Sequence, residues 1–287
     1  MSYAKLLDEW NDLLERRPTF RESLAPYGKI LDAWAQWSGD RVAPLRWSAE
    51  DCRERWRRGV PLLAEAAPSI PPEEVENLLA PAIEFLVTIG SEDTAFGRFA
   101  EAWDQGEVSP AALFPEKGKI GSAAVQERSG LSQEFVAFLA HASLRPILAS
   151  YFAACRPHLA DSPWNLGVCP FCGGPPGFAE FLEGGQRRLA CHLCGAGWTF
   201  PRLQCAYCGS RNATDLAVLR AEEKEEGYSI STCKACHGYV KEVDRRLRWN
   251  AGSALVEDWG SPHLDLIAHR AGYWRGVPTL IQLRQSE

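Results

Sequence analysis

Four short runs, Cys169-Pro170-Phe171-Cys172-Gly173, Cys191-His192-Leu193-Cys194-Gly195, Cys205-Ala206-Tyr207-Cys208-Gly209 and Cys233-Lys234-Ala235-Cys236-His237, carry eight of the ten cysteines in the sequence. They group as Cys169-x2-Cys172-x18-Cys191-x2-Cys194 and Cys205-x2-Cys208-x24-Cys233-x2-Cys236. A C-x-x-C turn puts two sulfurs on one side of a tight loop, and two such pairs about 15–20 residues apart make a four-thiolate metal site. Glycine after the second cysteine permits positive φ in three of the knuckles, and His237 stands in the fourth. Four thiolates close a tetrahedron and leave no open position, so the expected metal holds the fold and does no chemistry. A ribbon of about 40 residues has too little core to stand without such a staple. Thioredoxin-like redox pairs are the competing reading, and the βαβ pattern they need is missing. Zinc and mononuclear iron suit tetrahedral sulfur equally. The ten-residue link from Cys194 to Cys205 favours one ion per sequence block over a cross-braced pairing.

Outward from the knuckles, short alternating runs predict strands. Phe178–Leu182 and Arg187–Ala190 flank a glycine turn, and Trp198-Thr199-Phe200 follows the second knuckle. Leu216–Leu219 and Tyr228–Thr232 flank the charged turn 222–227, and Tyr239, Lys241 and Val243 alternate after the last knuckle. The segment is an internal duplication: knuckle, hairpin, knuckle, strand, twice. Gly173-Gly174-Pro175-Pro176-Gly177 reads as a turn.

Residues 1–160 carry the 3.6-residue period of helices. Leu6, Leu7, Trp10, Leu13 and Leu14 form one stripe, and Pro18 ends it. Ser48 with Asp51 forms a capping box, Ser69 precedes a helix with proline in its first turn, and Ser91 opens another. Ser132 caps a last helix in which Pro146 predicts a kink or break. The proline-punctuated stretch 156–163 reads as a seam that few contacts cross, and helical periodicity returns from Asp258. The fold class is thus α+β, divided as 1–163 (helical, with a core of its own that needs no metal), 164–201 and 202–250 (two four-cysteine ribbons) and 251–287 (a helical tail).

A chain of 287 residues, 46% hydrophobic and 24% charged, has globular composition. Its net charge of −6 falls to about −10 with eight thiolates and two divalent ions, which argues against a nucleic-acid partner. No apolar run approaches the ~20 residues of a membrane span and the N-terminus lacks a signal-peptide layout, so a soluble cytoplasmic protein without membrane insertion is expected. His192 and His237 are surplus to eight cysteines and read as exposed polar residues. Cys52 and Cys155 read as small buried hydrophobes. The clusters Arg53–Arg58 and Arg245–Trp249 read as solvated faces. Trp164, Phe171, Trp198 and Phe200, beside the ribbons, are candidates for a docking surface. Ser/His/Asp constellations, a Walker loop and G-x-G-x-x-G are missing, so no enzyme is expected.

These residues resemble the formate dehydrogenase accessory proteins of the FdhE type. The resemblance is carried by Cys169-Pro170-Phe171-Cys172-Gly173-Gly174-Pro175-Pro176, by Leu189–Cys194 with Trp198, by Cys205–Gly209, and by Ser231–Cys236 with Tyr239-Val240-Lys241. Leu264–Tyr273 is similar to the family's tail, and over the first 160 residues the likeness rests on helical character and Leu144-Arg145-Pro146. It implies a helical N-terminal domain followed by two rubredoxin-like ribbons. It further implies a cytoplasmic factor needed to make active formate dehydrogenase, acting on the catalytic molybdenum subunit, with iron as the metal in some members. The metal residues it implies are Cys169, Cys172, Cys191, Cys194, Cys205, Cys208, Cys233 and Cys236. His237 departs from the knuckle pattern, which bears on the backbone of the fourth turn and not on its ligation. A rubredoxin-like electron carrier and a zinc-ribbon nucleic-acid binder are the alternatives.

Overall fold

The N-terminal stripe folds as α1 (Tyr3–Arg16), which buries Leu6, Trp10 and Leu13 and stops short of Pro18. The computed structural model describes residues 3–39, 41–89, 93–160, 164–221 and 226–285. Ser91, the 161–163 end of the seam and residues 222–225 of the charged turn lie outside the described residues. After α1 come α2 (Arg21–Leu24), α3 (Tyr27–Gln36), α4 (Ala49–Arg57), α5 (Leu62–Glu65), α6 (Pro72–Thr88), α7 (Asp93–Asp104), α8 (Ala123–Ser129) and α9 (Gln133–Tyr151). Ser48 caps α4 as read: its Oγ accepts from Asp51 N at 3.1 Å while Asp51 Oδ2 accepts from Ser48 N at 3.3 Å. Helix α6 starts later than Ser69 implies, with Pro71 as its N-cap. Ser132 caps α9, with 3.2 Å from Phe135 N to its Oγ.

Helix α9 is the axis of the bundle and is buried along almost its whole length. Of the kink or break expected at Pro146, the break does not occur: the helix runs on through it. Proline removes the amide that would bond Ala142 O. The indole of Trp34 on α3 donates to that carbonyl instead, at 2.6 Å. No single helix among the described residues is long and apolar enough to cross a membrane. Helix α9 passes such a test only together with the bent 3-10 helix Ala153–Leu159, and the side chains of α9 are core.

The duplicated half forms β1 (Pro176–Phe181), β2 (Arg187–Cys191), β3 (Gly197–Thr199), β4 (Leu216–Leu219), β5 (Tyr228–Cys233) and β6 (Tyr239–Asp244). Each repeat is a three-stranded antiparallel meander. The two meanders join into one six-stranded sheet, β3-β2-β1-β6-β5-β4, through a parallel pairing of β1 with β6 in which Ala179 faces Glu242 and Phe181 faces Asp244. The predicted glycine–proline turn is shorter than read, because β1 already begins at Pro176.

The seam is crossed more heavily than its composition suggests. Trp56 Nε1 donates to Pro170 O at 3.0 Å, and the amides of Leu62 and Leu63 bond Pro170 O and Phe171 O at 3.1 and 2.8 Å. Phe171 packs edge-on against Trp56 and tilted against Phe152. One apolar core therefore runs from the bundle into the first ribbon, while a second, smaller one lies between β1, β5, β6 and the tail. The tail forms α10 (Ala254–Trp259), α11 (Pro262–Arg270) and α12 (Leu280–Gln285). Trp259 stacks on Tyr27 at 4.3 Å between ring centres, so α10 ties sheet to bundle.

Candidate metal centres

All four knuckles share one backbone device. The first cysteine's amide bonds the carbonyl five residues on, at 2.8 Å for Cys169–Gly174 and Cys191–Ala196 and 2.9 Å for Cys205–Ser210 and Cys233–Gly238. The residue after the second cysteine takes positive φ: +76° at Gly173, +73° at Gly195, +74° at Gly209 and +56° at His237. His237 thus adopts the turn that glycine makes elsewhere, at the steric cost of its Cβ.

The turns bring Cys169, Cys172, Cys191 and Cys194 together, and separately Cys205, Cys208, Cys233 and Cys236. The grouping follows the sequence blocks and not a cross-brace. Sulfur–sulfur distances are 3.5 Å for Cys169–Cys194 and Cys172–Cys191, 3.6 Å for Cys205–Cys236 and 3.7 Å for Cys208–Cys233. Disulfide bonds would need about 2.05 Å, whereas a tetrahedron with bonds of about 2.3 Å has edges near ~3.8 Å. Each quartet therefore fits one tetrahedral ion, zinc or iron alike.

Their surroundings differ. The four sulfurs of the first site are all buried; in the second, Cys208 is exposed and Cys236 half-buried. Burial pushes the Cys169 and Cys172 thiols well above their ordinary range. Burial also works against ionising Cys194, yet hydrogen bonds from the other three sulfurs and the nearby Arg156 hold it well below. In the second site burial raises Cys205 and Cys236; burial also works against ionising Cys208, yet the Ser210 amide and its sulfur neighbours together lower it.

No protein-family model matches the chain. A stretch of 118 residues is 34% identical to the FdhE homolog of Stutzerimonas stutzeri (strain A1501), covering 40% of this chain and 38% of that one. A stretch of 151 residues is 31% identical to the FdhE homolog of Aquifex aeolicus (strain VF5), covering 50% and 51%. This chain is similar to the FdhE proteins over part of its length. The match spans about half the length of these FdhE relatives or less. The crystal structure of the FdhE protein from Pseudomonas aeruginosa shares the fold, with a TM-score of 0.62 over 97% of this chain and 94% of that one at 21% identity.

Within this FdhE-like fold, several side chains sit where the sequence did not place them. His192 is 3% exposed, not a surface residue: its Nε2 bonds Asp258 Oδ2 at 2.8 Å. Burial lowers its pKa more than Asp258 raises it. Gly177 makes the room, since a Cβ there would lie 2.2 Å from the imidazole. Asp258 belongs to a buried ion cluster that joins both ribbons to the tail. Lys241 Nζ lies 2.9 Å from Asp258 and 2.7 Å from Asp265, and Arg275 Nη1 lies 2.8 and 2.9 Å from the same two. Tyr239 donates to Asp265 at 2.8 Å. Burial opposes ionisation of Asp258, but Arg275, Lys241 and His192 hold its carboxyl well below the usual range. The sequence signal was Lys241 itself, a charge between two inward-facing residues of an alternating strand.

Trp164, Phe171, Trp198 and Phe200 form no docking surface; all are buried, Trp198 with its indole bonded to Leu166 O at 3.0 Å. All four belong to the core shared with the bundle, and Phe171 packs directly on Trp56 and Phe152. The arginine clusters pair within the chain: Arg55 and Arg58 with Glu65, Arg57 with Glu50, Arg245 with Glu180 and Arg246 with Asp244. Cys52 and Cys155 are buried as read. His237 is exposed.

Proposed function

We propose that this chain is a non-catalytic assembly factor for formate dehydrogenase, acting in the cytoplasm on the catalytic molybdenum subunit. The relationship to FdhE proteins carries this reading, and two closed four-sulfur sites beside it support shape-holding over turnover. In this account Cys169, Cys172, Cys191 and Cys194 ligate one ion and Cys205, Cys208, Cys233 and Cys236 the other. The working units are residues 1–163, 164–201, 202–250 and 251–287. The contact face we assign to the client is the open side of the second ribbon. There Leu203 (73% exposed), Val218, Leu247 and Trp249 (81% exposed) offer apolar surface, and a groove of about 670 Å³ runs between Leu203 and Leu247 over Val218 and Ser231.

The test uses cells whose only copy carries Leu203→Ser with Leu247→Ser, exposed positions that the core does not need. They should contain formate dehydrogenase polypeptide with activity reduced at least about tenfold, and pull-downs should lose the catalytic subunit. Full activity with undiminished capture would refute the assigned face, and wild-type chain that never captures the subunit would refute the assembly reading.

The exposed Cys208 favours one further reading, a rubredoxin-like electron carrier working through the second site. Iron-loaded protein whose red colour bleaches and returns reversibly would support it; colourless, zinc-only protein would remove it.

A further inference from the structure

Leu144-Arg145-Pro146 puts an arginine in the middle of a buried helix. Arg145 is 8% exposed, and no described ion pair joins it to a carboxylate. Its guanidinium instead donates to two carbonyls of the second knuckle, Cys191 O at 3.3 Å and His192 O at 2.6 Å. Arg156, on the 3-10 helix that follows α9, donates to Gly195 O at 3.1 Å and also to Cys194 O. Both press against Gly195, where a Cβ would lie 3.2 Å from one guanidinium and 3.7 Å from the other. Two full positive charges therefore converge on the one turn that carries Cys191 and Cys194. Arg188 and Arg245, which line the same cleft as Arg145 and Arg156, are already engaged: they share Glu180, at 2.9 and 3.0 Å.

Four thiolates around a divalent ion carry two excess negative charges, and a buried charge without a counter-charge is strongly unfavourable. We propose that Arg145 and Arg156 are the counter-charges of the first metal site, reaching in from the helical bundle to balance its thiolates and hold the Cys191–Gly195 turn in its ligating shape. The inference rests on the reading of this quartet as a metal site. The second site is an internal comparison. The carbonyl of Cys236, equivalent to that of Cys194, accepts from the neutral indole of Trp274 at 2.7 Å. Exposed Cys208 leaves its charge to water. Arg145 and Arg156 are positioning residues: they touch the turn and not the ion.

The test loads cobalt(II) into the full chain carrying Cys205→Ser and Cys208→Ser, so that only the first site binds, and follows the sulfur-to-cobalt absorption. Arg145→Gln with Arg156→Gln should weaken cobalt binding by about 10- to 100-fold, the usual cost of losing outer-shell partners. The pH midpoint of the band should rise by roughly a quarter to half a unit, because up to four protons share that loss. Arg145→Lys with Arg156→Lys keeps the charge and should stay within about tenfold of the parent, and Arg188→Gln should change neither readout. A glutamine variant that folds like the parent and keeps its affinity and midpoint overturns the proposal. Should that variant fail to fold, the lysine variant decides: cobalt affinity more than about 100-fold below the parent overturns the charge-balancing role. A parent that binds no cobalt at all refutes the metal reading instead, which separates the two failures.

Discussion

In the first ribbon all four sulfurs are buried, two arginines of the bundle grip the second knuckle, and Phe171 is wedged between Trp56 and Phe152. In the second ribbon, built on the same turn and the same meander, one sulfur faces solvent and a tail indole holds the matching knuckle. Duplicated sequence has given duplicated turns but not duplicated surroundings. What packs on each ribbon decides how far its four sulfurs are shielded from water. The first site is continuous with the helical core, so an ion held there would couple its binding to the fold of the bundle, contrary to the sequence expectation of a helical core that needs no metal. The second stiffens a surface.

The sharpest way to break this contrast is to remove one site at a time. Cys169→Ser with Cys172→Ser should leave the chain largely unfolded. A structural thiolate site contributes on the order of 10 kcal/mol, as much as a whole domain's stability of roughly 5–15 kcal/mol. Cys205→Ser with Cys208→Ser should keep the far-ultraviolet circular dichroism of the helices and lose order only in the second ribbon. Equal loss of helix in both variants would dissolve the distinction.

The tie between the ribbons should come next in size. Asp258→Ala strips Lys241, Arg275 and His192 of a shared buried partner. Breaking such a cluster costs about 3–5 kcal/mol, measured as a lowered denaturant midpoint with both metals still bound. Smaller again are the two indole bonds. Trp34→Phe leaves Ala142 O without its donor beside Pro146, worth about 1–3 kcal/mol of global stability. Trp274→Phe should cost about 1 kcal/mol, and only in the second site's chelator resistance. Last, His237→Gly relieves a left-handed residue and should strengthen the fourth knuckle by up to about 1 kcal/mol, read as slower metal release.

The knuckles, hairpins and helical stripes were legible because each is a local pattern: spacing for C-x-x-C, period 2 for Tyr239–Val243, period 3.6 for Leu6–Leu14. Even the oddity at His237 announced itself as a missing glycine. What the sequence hid is long-range. Nothing local says that β1 and β6 pair in parallel, that the indole of Trp34 will mend the carbonyl freed by Pro146, or that α10 will lodge Trp259 against Tyr27. His192 was misread for the same reason: its partner, Asp258, lies 66 residues away. Aromatic residues beside a ribbon suggested a docking face, yet here they are buried, and Phe171 joins ribbon to bundle.

The most direct measurement is stepwise chelation of the native protein, with native mass spectrometry counting the metals and hydrogen exchange locating the loss. The account predicts that the first ion leaves from Cys205, Cys208, Cys233 and Cys236, with exchange rising over residues 205–244 while residues 3–160 stay protected. Only the second ion's departure should open the first ribbon and the bundle together. Release of the first-ribbon ion before the other, or its loss with the helices left fully protected, would contradict it.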